Sequence, residues 1–180
     1  MAALELEVDG SFFTFPDGWR VEKVDEWAEQ KKLTRKPFMS KGCDLVAIGD
    51  GQLWLIEAKD YSYAGASVPD DLEDVVGLKV FHTLAILQAV ALWGDGSHKD
   101  FSMTATSSKT AFVCLAVELP HGGRRLLGVA TPLAALRDRL TKVTRLFNVF
   151  RPVVSNSFVM GPVPWQIRRD PSKRGNHADR

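Results

Sequence analysis

Asp44, Glu57 and Lys59 have the residue types and spacing for metal and phosphate chemistry. Asp44 lies in a short apolar run, Cys43 to Ile48, and Glu57 and Lys59 end a second, Leu53 to Ala58, with the turn Gly49-Asp50-Gly51 between them. Side chains alternate along a strand, so Glu57 and Lys59 share a face and Ala58 points away. With a four-residue connection, 49–52, Ile48 faces Leu53 and Asp44 faces Glu57; a three-residue loop or a bulge shifts this by one. Two carboxylates then arrive at one end of a hairpin. An unpaired buried carboxylate is costly, whereas two around a hard cation are compensated, and oxygen ligands suit Mg²⁺. Such a cation polarises a phosphate oxygen and acidifies a water, while a neighbouring lysine orients that water or steadies developing charge. The plain alternative is a surface salt bridge between Glu57 and Lys59.

The elements that must position these groups can be traced along the chain. Phe12 to Phe15 is β-prone and Pro16-Asp17-Gly18 is a turn signal, which predicts a hairpin into Trp19 to Val24. Val24, Trp27, Ala28 and Leu33 recur near a helical period, predicting a helix or helical turn near 24–32. A basic loop, Lys31 to Pro37, leads to the central hairpin. Beyond it, Asp70-Asp71 can cap a long apolar helix to Trp93. Residues 95–109 read as loop, Thr110 to Leu119 as a buried strand, Pro132 to Phe150 as an amphipathic helix, and Phe158 to Ile167 as a last strand. The expectation is a mixed α/β domain over 1–169, a central β-sheet flanked by helices, with a mobile polar tail at 170–180.

Composition bounds the function classes. The 180 residues are 45% hydrophobic and 25% charged, without repeats, which indicates one ordinary globular domain. The N-terminus lacks a cationic start and apolar run, and the richest stretch, Val75 to Trp93, is interrupted by Lys79, His82 and Gln88, so a cytoplasmic protein without membrane partners is expected. Cys43 and Cys114 each sit in an apolar run and are expected to be free. The histidines, His82, His98, His121 and His177, have no zinc-type spacing, and no nucleophile elbow, Walker loop or dinucleotide fingerprint occurs. Net charge is +1, yet residues 1–120 carry 11 Lys and Arg against 19 Asp and Glu, while 121–180 carry 12 against 3. Acidic and basic work divide along the chain, unless the charges intermingle on folding.

Gly42-Cys43-Asp44-Leu45-Val46 followed by Ile56-Glu57-Ala58-Lys59-Asp60 resembles the restriction-endonuclease-like PD-(D/E)xK nuclease superfamily. The flanks, Trp-x-Val-x-Lys-x-Asp at Trp19 to Asp25 and a Lys79-bearing helix downstream, are similar to small uncharacterised bacterial members. No proline directly precedes Asp44, which departs from the motif. The resemblance implies an αβββαβ core and a Mg²⁺- or Mn²⁺-dependent nuclease acting on DNA. Asp44 and Glu57 are the implied metal ligands, the backbone carbonyl of Ala58 a third, and Lys59 the catalytic lysine. An acid from the first helix often joins such sites; Glu22, Asp25, Glu26 and Glu29 compete, with Asp25 or Glu26 favoured. Nucleic-acid contacts are expected from Arg35, Lys36 and Lys41 of the basic loop, from Lys79, and from Arg137, Lys142 and Arg145 of the later helix. Pairing as a homodimer is expected of nucleases that cut both strands. The alternative is an inactive nuclease-fold domain that binds nucleic acid or protein.

Overall fold

Two Asp-Gly turns set the course of the chain. In the computed structural model, which describes residues 4–120, 130–149, 151–170 and 172, the first joins β1 (Leu4–Val8) to β2 (Ser11–Phe15). Asp9 and Gly10 have φ of 49° and 75°, the left-handed pair of a two-residue hairpin loop. The chain then forms β3 (Arg20–Glu22), a 3₁₀ turn at Val24–Glu26 and α1 (Ala28–Leu33). The second turn, Asp50-Gly51 with φ of 52° and 73°, joins β4 (Leu45–Gly49) to β5 (Gln52–Asp60). Here the register pairs Gly49 with Gln52, Ile48 with Leu53 and Leu45 with Ile56, as the four-residue connection requires. Continuing it one residue brings Asp44 opposite Glu57.

After β5 come α2 (Leu72–Trp93), α3 (Gly96–Thr106), β6 (Thr110–Glu118), α4 (Ala130–Thr144), a 3₁₀ turn at Arg145–Phe147, β7 (Val153–Ser155) and β8 (Gln166–Arg169). Five strands form a mixed sheet in the order β3-β4-β5-β6-β7, with β3, β4 and β5 antiparallel and β6 and β7 parallel additions. Strands β1, β2 and β8 form a second, antiparallel sheet.

The mixed α/β class is as expected, and alternation along the strands divides the core in two. Val46, Leu53, Leu55, Val113 and Leu115 pack with Val76, Val80, Leu87 and Leu140 of the helices. Leu45, Ala47, Trp54, Ile56 and Ala58 pack with Phe13, Phe15, Trp165 and Ile167 of the small sheet. Each fully buried aliphatic side chain contributes about 1.5–3 kcal/mol. Helix α2 is long and apolar enough to cross a membrane by length and composition, but Leu72, Val76, Val80, Ile86, Leu87 and Val90 are buried in this core. Gly77 lets α4 approach closely, because a Cβ there would meet Val143.

Several local expectations change. Phe12 to Phe15 does not turn back onto Trp19 to Val24; β2 pairs with β1 and β8, and the Pro16 to Gly18 turn carries the chain across to the large sheet. The helix or helical turn expected near 24–32 is a 3₁₀ turn followed by short α1, divided at Trp27, whose backbone is extended. Residues 95–109 are not all loop: polar α3 follows Asp95 and buries Phe101, Ser102 and Ala105. The helix from Pro132 passes into the 3₁₀ turn after Thr144, before left-handed Asn148 with φ of 60°, and Phe150 lies outside the described residues. The final β-prone stretch yields only β8 at its end, since Pro162 and Pro164 lack the N–H groups a ladder needs. Of the expected tail, Asp170 and Ser172 are described and the rest lies outside the described residues. Cys43 and Cys114 are free and buried; burial pushes both thiols up, Cys114 to about 12.

Candidate metal centre

At the end of the central hairpin, Asp44, Glu57, Lys59 and Lys79 converge on the helix-covered face of the sheet. The side chain of Glu57 is only 1% exposed. Its Oε1 lies 2.6 Å from Lys59 Nζ and 2.5 Å from Lys79 Nζ. Lys79 Nζ also lies 3.5 Å from Asp44 Oδ1, so its ammonium bridges the two acids. The other Asp44 oxygen, Oδ2, accepts the Ala58 N–H at 2.8 Å, which ties the start of one strand to the end of the next. Ala58 thus meets Asp44 through its N–H, while its side chain faces the opposite core, as alternation requires.

Electrostatics follow from burial. Burial raises the pKa of Glu57 to about 7, and Asp44 adds to the rise, against the opposing pull of Lys79 and Lys59. Burial works against the Lys79 ammonium, but Glu57 and Asp44 more than offset it and hold its pKa above the ordinary lysine range. Tyr61 is pushed up to about 12, by burial first and then by the Glu57 charge.

The first-helix acids separate. Asp25, an exposed residue of the 3₁₀ turn, feels the site's charges: partial burial of the group, then the Asp44 charge, raise its pKa, and Lys79 opposes the rise. Glu26 instead pairs with Lys23 at 3.4 Å with its side chain 63% exposed. Glu22 accepts from the Trp27 indole at 3.5 Å, and Glu29 meets His98 at 3.3 Å. Asp25 is therefore the acid whose field reaches the site.

Among the described residues no three His, Cys, Asp or Glu side chains gather closely enough to hold a metal, so the acids at the centre are a pair. That pair fits a hard divalent cation. Glu57 Oε2 is buried with no hydrogen-bond partner, and a carboxylate oxygen so placed is costly unless a cation or donor meets it. Asp44 and Glu57 would hold Mg²⁺ or Mn²⁺ through oxygen, the ligand atom both prefer.

The expected nucleic-acid residues fall into two groups. Arg35, Lys36 and Lys41 lie exposed before β4, and Arg137, Lys142 and Arg145 lie exposed on α4 and the turn after it, Arg137 beside Asp138 at 3.6 Å. Arg139 reaches Glu73 at 3.6 Å. Lys79 stands apart from this set: its side chain is 13% exposed and paired with the two acids rather than presented at the surface. Nor does Arg169 face solvent; it pairs with Asp60 at 2.5 Å and approaches Glu118 at 4.0 Å. Asp60 also caps the following loop by accepting from the Ser62 N–H at 2.8 Å.

Sequence reasoning missed Thr83 and the part played by His82. Buried Thr83 accepts the Cys43 N–H at 2.7 Å and donates to the Lys79 carbonyl at 2.8 Å, pinning the residue before Asp44 to the turn of α2 that bears Lys79. His82 Nδ1 lies 3.1 Å from the Lys41 N. The available signal was three polar residues, Lys79, His82 and Thr83, at i, i+3 and i+4 in the apolar middle of the helix, which puts them on one face.

Comparisons with known proteins give little beyond this geometry. No family model matches the chain, and no solved structure does. A cysteine–tRNA ligase of Neisseria meningitidis (serogroup A, serotype 4A) is similar, 26% identical over 197 aligned positions covering 86% of this chain. The chain spans 28% of the length of that relative.

Proposed function

We propose that this chain is a divalent-metal-dependent nuclease that hydrolyses phosphodiester bonds, with DNA as the polymer. The observation that carries the proposal is the buried Glu57 carboxylate, set against Asp44 across a hairpin register and left with one oxygen unpartnered. A cation bound between these acids would supply Lewis-acid polarisation of the scissile phosphate and a more acidic water. Asp44 and Glu57 hold and orient the centre, and the Ala58 N–H fixes which Asp44 oxygen is left for it. Lys59, with its side chain 25% exposed, is the more accessible of the two lysines and is assigned the attacking water and the charge that builds on phosphorus oxygens. Attack forms one P–O bond as the bond to the leaving sugar oxygen breaks, and that oxygen takes up a proton.

A nuclease-fold domain that binds nucleic acid or protein without cutting is the second reading. It is favoured by the two ammonium groups at Glu57, which neutralise the site without a metal. Cleavage of plasmid, single-stranded DNA and tRNA in Mg²⁺ or Mn²⁺, beside Asp44→Ala, separates the two; the tRNA arm answers to the name of the similar ligase. Metal-dependent products that vanish in Asp44→Ala support the nuclease. Binding without cleavage in every metal and substrate supports the second reading.

A further inference from the structure

Lys79 was expected among surface contacts to nucleic acid, yet its ammonium sits between the acids: 2.5 Å from Glu57 Oε1 and 3.5 Å from Asp44 Oδ1. A divalent cation shared by those carboxylates would take Asp44 Oδ1, which Lys79 faces, and Glu57 Oε2, on the carboxylate that Lys79 holds by Oε1, and an ammonium and a dication cannot lie that close without strong repulsion. Helix α2 does not leave Lys79 there by accident of a loose surface. Its backbone is anchored, since Thr83 donates to the Lys79 carbonyl and accepts the Cys43 N–H. The side chain is long and flexible, so it can withdraw while the helix stays fixed. Lys59 does not bridge the pair; its ion pair is with Glu57.

We infer that Lys79 is the resident counter-ion of this site, a positioning residue that holds Asp44 and Glu57 together without metal and must be displaced for a divalent cation to bind. This deepens the metal-dependent nuclease proposal and rests on its metal site. The exchange makes metal loading a competition: the lysine keeps two neighbouring carboxylates from repelling each other, and it lowers the affinity for the cation that replaces it. Metal affinity is thereby set by a residue that is not itself a ligand.

Calorimetric titration of Mn²⁺ into the full chain, metal-free at pH 8.5, tests the exchange, with thermal melting in EDTA beside it. Lys79→Met is expected to bind Mn²⁺ at least tenfold more tightly than the wild type and to melt lower without metal. Lys79→Arg, which keeps the charge, should stay within threefold of the wild-type Kd. In EDTA, adding Glu57→Gln to Lys79→Met should recover part of the lost melting temperature by removing the repulsion. Equal or weaker Mn²⁺ binding by Lys79→Met, with the wild type binding, overturns the exchange and leaves the metal site standing. A tenfold gain in Lys79→Arg overturns it as well, because shape rather than charge would then be at work. Absence of Mn²⁺ binding in all three proteins overturns the metal site itself and the exchange with it.

Discussion

Glu57 supplies the sharpest thermodynamic test. Its side chain is 1% exposed, and its pKa is raised from 4.5 to about 7, chiefly by burial and then by Asp44. A carboxyl group with a raised folded-state pKa binds more protons folded than unfolded between those values. Its stabilising contribution is therefore complete below pH 4.5 and is lost as pH rises through 7. At about 1.4 kcal/mol per pH unit the full loss is roughly 3.5 kcal/mol, of which about 3 kcal/mol falls between pH 4.5 and pH 8. Glu57→Gln keeps the shape, cannot ionise and should lack this component. Urea denaturation in EDTA at pH 4.5 and pH 8 isolates it: stability should fall by about 3 kcal/mol more in the wild type than in the variant over that interval. Groups remote from Glu57 are common to both proteins and cancel in the difference, and Lys79 stays charged throughout the interval. Mn²⁺ at pH 8 should restore the wild type and leave Glu57→Gln unchanged, since the cation favours the ionised carboxylate. Parallel stability profiles for the two proteins in EDTA would refute the argument, because they would mean that Glu57 titrates alike in the folded and unfolded chain.

Lys59→Ala should lower cleavage by on the order of a hundredfold or more with substrate affinity nearly intact, as measured by single-turnover kinetics beside binding; unchanged cleavage would make this lysine structural. If the exposed Arg137, Lys142 and Arg145 track a duplex backbone among about four neutralised phosphates, log affinity falls with log salt at a slope of about −3.6. Their joint replacement by Gln in an Asp44→Ala background should flatten that slope by about two to three; an unchanged slope would direct the duplex to Arg35, Lys36 and Lys41 instead. Arg169→Met should cost roughly 3 kcal/mol in urea denaturation, since Asp60 and Glu118, 7% and 5% exposed, lose a buried cation. Its Mn²⁺ affinity should match the wild type.

The sequence by itself determined the centre of this molecule. Asp50-Gly51 signals a tight hairpin and period two puts Glu57 and Lys59 on one face while Ala58 turns away; a three-residue loop or a bulge stayed open, and the observed two-residue loop settles the register that brings Asp44 opposite Glu57. These are local rules, acting over a few residues. What lay beyond them was decided by packing. Phe13 and Phe15 look like half of a local hairpin, but burying them against Trp165 and Ile167 sends β2 into another sheet with a strand some 150 residues away. The polar residues of α3 carry little helical pattern, yet Phe101 and Ala105 find a buried seat against α2. Asp25 and Glu26 are adjacent and equivalent in type; only the fold brings the Asp44 charge to bear on one and pairs the other with Lys23. Lys79 is the clearest case. Helical periodicity places it on α2 but cannot say what faces it, and its environment depends on how a helix begun 12 residues after the hairpin is laid across the sheet. A charge finds its partner through space, so its role was fixed only once the tertiary structure brought two carboxylates to its ammonium.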